Sequence, residues 1–365
     1  MGITDIPAMA VAGDNEAAPA PAGPRAGRSA QPATEPPPPA PSPSPVTRLQ
    51  HLLHARATLG PAVVLAVAII VFASVSDRFM QPANVSLVLQ QVAVVGTLAV
   101  GQTIIILTAG IDLSVGAVMV LTSIVMGKLS AEAGLPGPVA IGAGFAVGLA
   151  CGLINGGLVT RLKLPPFIVT LGTLNVFFAL NLWYSESATI RGTDMSSTLL
   201  WTGETFTVFD TRVTYGSVIM LVLFAGMGFA LRMTAWGRHV YATGDDAEAA
   251  RLSGIRTSRV LLSVYVVAGL VYALGAWILI GRIAAASPQA GQSENLDTIT
   301  AVVLGGTSLF GGRGAILGTL LGALFVGVLR NGLALSGVDV LWQNFAVGIF
   351  VIVAVALDQW IRRLR

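Results

Sequence analysis

The sequence predicts an all-α integral membrane protein of about ten transmembrane helices. Three observations carry that prediction. Apolar residues fill 54% of the 365 positions and charged residues 11%, under half the roughly 25% charge of a soluble domain. The apolar residues are gathered into runs near 20 residues long, and the basic residues collect in loops between alternate runs. Glycine is frequent, at 42 residues, which suits helices that must approach closely where packing replaces the hydrophobic drive.

The first 47 residues are different material, with Pro36 to Pro39 in a row on an Ala/Pro/Ser background. Few large apolar side chains are present to offset the entropy of ordering, so residues 1–47 are expected to be a disordered cytoplasmic tail rather than a secretory signal. From residue 48 to 365 the chain reads as one transmembrane domain. Its apolar runs fall at 59–76, 85–109, 113–129, 138–159, 166–184, 214–231, 260–281, 298–310, 315–333 and 341–360. A helix rises about 1.5 Å per residue through roughly 30 Å of hydrocarbon, so the 85–129 stretch holds two spans. The 298–310 run is short enough to be half of a broken helix.

Basic residues set the orientation. Arg48 and Arg56 precede the first run, Arg161 and Lys163 follow the fourth, Arg232 to Arg259 fill the loop after the sixth, and Arg362, Arg363 and Arg365 follow the tenth. Ten spans put all four groups on one side. Both termini and the 232–259 loop are therefore expected in the cytoplasm, and the more acidic 185–213 loop outside. A shift of 176 residues matches Asn155-Gly156 to Asn331-Gly332 and Gly172 to Gly348, in spans of opposite direction as an inverted repeat requires. A second echo, Gly116-Ala117-Val118 against Gly314-Ala315-Ile316, needs a shift of 198.

Enzyme and metal chemistry find little support. Cys151 is the single cysteine, and His51, His54 and His239 lie outside the spans without metal-ligand spacing. No phosphate-binding G-x-x-x-x-G-K-[ST] loop occurs. Besides Asp112, the spans offer mainly neutral polar groups: Gln90, Gln91, Gln102, Thr103, Thr108, Thr170, Thr173, Asn175 and Asn181. Gln102, Thr170, Thr173 and Asn175 are the candidate pathway lining. Such groups suit an uncharged, hydroxyl-rich solute, or else bond helix to helix. An energy source is expected on another chain.

Three segments carry the functional signal. In the long loop, Asp245 and Glu248 stand at capping-box spacing before Ala249, Ala250, Arg251 and Leu252, and Gly254 is a natural stop. A helix of two turns is far too short to persist alone. It docks either on this protein's own loops or in a partner's groove. The second segment places Asp112 and Ser114 between two apolar runs. Asp112 is read as a cap accepting from the amides of Ser114 and Val115, or as a group on the solute path. The third, Gly305 to Gly314, holds Gly305, Gly306, Thr307, Ser308, Gly311 and Gly312, and with Gly314 its five glycines in ten residues interrupt helix and line protein or a water-filled cavity.

At these segments the chain resembles the permease subunits of the ribose, xylose, arabinose and fructose class of ABC sugar importers. The carrying residues are Leu107-Thr-Ala-Gly-Ile-Asp-Leu-Ser-Val-Gly116, Gly237 to Ile255, and Val302-Val-Leu-Gly-Gly-Thr-Ser-Leu-Phe-Gly-Gly-Arg-Gly314. The likeness spans roughly residues 50 to 362. It is nearest to fructose permeases at Leu164 to Gly172, Thr234 to Arg238, Tyr241 to Ala250 and Asp358 to Arg362, with Asp246 where many relatives have Asn. The resemblance implies a type II-like ABC importer permease of the bacterial inner membrane, acting as a homodimer by alternating access. It also implies a cytoplasmic ATPase that holds ATP and Mg, a periplasmic sugar-binding protein, no cofactor on this chain and no nucleic-acid partner. By the same resemblance, Asp245, Asp246, Glu248, Ala249, Ala250, Leu252 and Gly254 form the helix that couples to the ATPase. Related permeases for nucleosides, autoinducer or branched-chain amino acids, and a stand-alone secondary transporter, are the alternatives.

Overall fold

A computed structural model describes residues 58–291 and 293–363; the proline-rich tail and its expected disorder lie outside these residues. The described residues are mostly helical. α1 (Leu59–Val75), α2 (Pro82–Leu107), α3 (Val115–Ala131), α4 (Gly137–Arg161) and α5 (Pro166–Ser185) come first. An irregular segment then carries strand β1 (Ile190–Arg191), the short α6 (Ser197–Leu200) and the hairpin β2 (Thr205–Val208) and β3 (Thr211–Thr214). α7 (Tyr215–Met233), α8 (Ala235–Asp245), α9 (Ala247–Leu252) and α10 (Thr257–Ile283) follow. Strand β4 (Ala285–Ala286), α11 (Glu294–Leu304), α12 (Ile316–Leu335) and α13 (Val340–Arg363) complete it.

Among the described residues, six helices are long and apolar enough to cross a membrane: α2, α4, α5, α7, α10 and α12. α1, α3 and the first 17 residues of α13 are shorter apolar helices. α11 is 11 residues long and ends at the glycine-rich break, so the short eighth run is half a helix, beginning four residues earlier than the apolar run. Proline stands at the first position of α2 and α5, where its missing amide has no intrahelical partner to lose.

α2 and α10 form the centre. Val92 to Leu107 are buried on every side of α2, as expected of a helix surrounded by other helices. Tyr272 lies at Gly101, and Leu98 at Gly275, so the two helices run antiparallel. The 176-residue shift carries Pro82–Leu107 to within a residue of Thr257–Ile283, and α3, α4 and α5 onto α11, α12 and α13. Packing repeats with it: α3 lies on α4 and α5 as α11 lies on α12 and α13, and α10 lies on α4 as α2 lies on α12. The 198 echo pairs the start of α3 with the approach to α12, which occupy different places in the two halves. α1 buries only Pro61, Ala68 and Phe72 and leaves the rest of its apolar surface outward, where lipid is its solvent.

Candidate functional site

The three sequence segments meet at one end of the bundle. α2 ends at Leu107, whose carbonyl accepts from the amide of Gly312 at 3.0 Å. Gly244, in the last turn of α8, packs so tightly that a Cβ there would collide with the same carbonyl. Gly311 faces Ala109 and the carbonyl of Gly244, and Gly312 faces Asp245. The Tyr241 hydroxyl donates to the carbonyl of Gly314 at 2.9 Å. Gly306, Gly311 and Gly312 all have positive φ, the conformation that makes this break affordable only to glycine. The 232–259 loop, the end of α2 and the glycine break are thus one packed unit.

On that unit stands α9. Its cap is Asp246, whose Oδ1 accepts from the amides of Glu248 and Ala249 at 2.9 Å each. The spacing pointed to Asp245, but α8 runs through Asp245 and the two helices abut, which moves the cap one residue on. Glu248 does not reach back to the cap; its carboxylate accepts from Arg251, Nη2 to Oε1 at 2.6 Å. Arg251 holds the Glu248 carboxyl below the ordinary range. At the far end Ile255 donates its amide to the carbonyl of Ala250, and Gly254 donates to Arg251, with Gly254 at φ +88. This is a Schellman stop that needs a left-handed residue. Ala250 is the inward anchor, whereas Ala249 is exposed and Leu252 is 78% exposed. A six-residue helix is thereby fixed at both ends with an apolar side chain presented outward.

Asp112 is buried, at 1% exposure. Its Oδ1 accepts from the amide and the hydroxyl of Ser114 at 2.7 and 2.6 Å; no bond from Val115 joins them. Ser114 starts α3 and accepts from Nδ2 of Asn155 at 2.9 Å, whose Oδ1 accepts from Thr173 at 2.7 Å. The Thr170 hydroxyl donates to the carbonyl of Ile111 at 3.0 Å. Thr170 and Thr173 therefore tie α5 to the Asp112 turn and to α4. Gln102 is buried in α2, its Oε1 accepting from Tyr272 at 3.4 Å. Asn175 sits elsewhere, on a cavity of about 250 Å³ that Gly116, Val120, Leu174, Gly291 and Asn295 also line. Asn295 Oδ1 accepts from the amide of Gly116 at 2.8 Å, so α11 and α3 share that wall. Among the described residues, no group of acids, histidines or cysteine gathers at metal-binding distance.

Sequence reasoning missed one feature. The spans hold buried charge beyond Asp112: Arg330 of α12 donates to Asp297 of α11, Nη2 to Oδ1 at 2.6 Å, and to Asn344 of α13 at 3.1 Å. Glu294, one turn before Asp297, keeps an Oε2 that is shielded from solvent and unpartnered. An arginine inside the 315–333 apolar run, three residues before its end, was the available signal, since a charge there needs a partner. The partner is 33 residues away and visible only in three dimensions.

A family model described as "Branched-chain amino acid transport system / permease component" matches residues 84–355. The chain belongs to this permease family. The permease is 49% identical over 321 residues to the fructose import permease protein FrcC of Rhizobium meliloti, covering 87% of this chain and 89% of that one. It is 41% identical to the ribose import permease protein RbsC of Bacillus subtilis strain 168, over 82% and 92% of the two chains. The xylose transport system permease protein XylH of Escherichia coli K12 is 32% identical to the permease, over 83% and 91%. The permease is thus the membrane-spanning component of a transport system, as its segments implied.

Proposed function

We propose that the permease imports a monosaccharide, of the fructose or ribose kind, across the bacterial inner membrane, driven by a separate cytoplasmic ATPase seated on α9. One observation carries this reading: the doubly capped α9, with Leu252 outward, rests on the same packed unit as the end of α2 and the glycine break. A push on α9 moves Gly244 and Asp245 against Leu107 at the end of α2 and against Gly311 and Gly312 in the link that follows α11, the helix whose Asn295 lines the cavity. ATP and Mg belong to the partner. Arg161, Lys163, Arg238, Arg251, Arg256 and Arg259 cluster towards this end, which supports placing it, and both termini, in the cytoplasm.

Two copies complete the pathway in this reading. α5 leaves Phe167, Ile168, Leu171 and Val176 exposed around Asn175, a face that suits a second permease across the path. Neutral amides on the cavity, Asn175 and Asn295, suit hydroxyl groups and not a charged α-amino acid, which favours sugar over the branched-chain amino acids of the family's description. A soluble sugar-binding protein outside supplies the solute, and alternating access delivers it. The test is uptake of labelled fructose and ribose by vesicles holding the permease, its ATPase and its binding protein. Uptake that requires ATP and all three proteins is expected. ATP-independent uptake by the permease alone would replace this reading with a stand-alone transporter.

A further inference from the structure

At the end of the molecule opposite α9, the β2–β3 hairpin turns through Phe209 and Asp210, with φ +46 and +61. Two-residue hairpin turns with both central residues at positive φ are built from Asn, Asp and Gly, which tolerate that region. Asp210 fits the rule; Phe209 does not. A bulky side chain held in the left-handed region is strained, and its ring has no compensating contact here, being 96% exposed. Neighbouring Val208 is also exposed, at 39%. Around this apolar point stand Thr207, Asp210 and Arg212, all exposed, and neither charge has an ion-pair partner among the described residues. An aromatic knob inside a polar rim is the usual anatomy of a protein-binding hot spot.

The position of the hairpin distinguishes a protein from the bilayer. The Ser86 hydroxyl donates to the carbonyl of Arg212 at 2.6 Å, and the Ser217 hydroxyl to that of Leu89 at 3.4 Å, so β3 and α7 descend alongside the start of α2. Phe209 lies two residues beyond Thr207, which pairs with Arg212 across the hairpin, so it stands about 7 Å further out. Pro82, the first residue of α2, lies only about 6 Å beyond Ser86. At 26 residues, α2 is about 39 Å long, close to the roughly 40–45 Å of a bilayer with its headgroups. The tip therefore stands level with the outer end of a helix that is longer than the roughly 30 Å hydrocarbon core, which puts Phe209 outside that core. Trp201 stacks on Tyr215 at 4.8 Å and Phe206 leans on the same ring at 5.5 Å, which fixes the base of the hairpin.

We propose that Phe209 is the docking knob for the soluble, sugar-loaded protein that supplies the permease from outside, an inference that rests on the importer reading above. The knob inserts in an apolar depression of that protein, and Asp210 and Arg212 pair at its rim. The test uses the full complex of permease and ATPase in nanodiscs, with its own sugar-binding protein added. Phe209→Asn relieves the turn, so its unfolding midpoint should equal or exceed that of the wild type, and ATPase activity without the binding protein should not change. The binding-protein concentration giving half-maximal ATPase stimulation should nevertheless rise roughly tenfold or more. Phe209→Trp should keep docking, escape quenching by nitroxide-labelled lipids, and shift its emission to the blue when the binding protein is added. Wild-type half-saturation by Phe209→Asn would overturn the proposal, as would a Phe209→Trp emission quenched by lipid and deaf to the binding protein. If the wild-type complex ignores the binding protein altogether, the importer reading itself fails.

Discussion

Replacing Arg330 by Met tests the interior of the permease most directly. Arg330 and Asp297 are 8% and 2% exposed and meet at 2.6 Å. Removing the guanidinium strands a carboxylate among α11, α12 and α13, and also strands the acceptor of Asn344. Breaking a buried pair from one side destabilises by about 3–5 kcal/mol, because the remaining charge stays desolvated. That is a large share of the 5–15 kcal/mol, roughly, that holds an ordinary domain together. Replacing both partners, Asp297→Leu with Arg330→Met, removes the stranded charge, and such double replacements are often neutral or better. Equilibrium unfolding in mixed detergent micelles should therefore show a large loss for the single variant and recovery of most of it in the double. A single variant within about 0.5 kcal/mol of wild type, the scale of an ordinary surface change, would refute the argument. So would a double variant as unstable as the single one.

Leu252→Asp puts a carboxylate on the outward face of α9 and should leave insertion intact while abolishing ATPase co-purification and uptake together; full uptake with the ATPase bound would reduce α9 to a surface turn. Gly244→Ala drives a methyl group into the carbonyl of Leu107, so the ATPase should still bind while uptake per ATP hydrolysed falls at least severalfold. Unchanged coupling would mean that the α8–α2 contact transmits nothing. Asp112→Ala removes the acceptor of the Ser114 amide and hydroxyl and should lower stability by about 0.5–2 kcal/mol, read by thermal unfolding, without changing which sugar is preferred. Normal stability with altered preference would move Asp112 from the scaffold to the solute path.

The amino-acid sequence determined the fold class, the order of the spans and the three functional segments, because each of these is local. A 20-residue apolar run, a glycine cluster, or a capping residue ahead of good helix formers carries its own signal within a few neighbours. Even the pseudo-symmetry was present, in Asn155-Gly156 and Asn331-Gly332. Packing was needed to choose the shift of 176 over 198, since only the helices built around those residues, and not the residues alone, have equivalent neighbours. The cap of α9 moved from Asp245 to Asp246 because α8 continues one residue further than any local rule requires. Gln102, Thr170 and Thr173 look alike in sequence to Asn175, yet the first three turn into the bundle and Asn175 faces the cavity. A polar residue in an apolar run states that a partner exists and not which helix supplies it. For the same reason the tertiary structure alone decided the Asp297–Arg330 pair and the convergence of Leu107, Gly244 and Gly312. Those contacts join residues 33 to 205 positions apart, and only helix packing brings such residues within a hydrogen bond of one another.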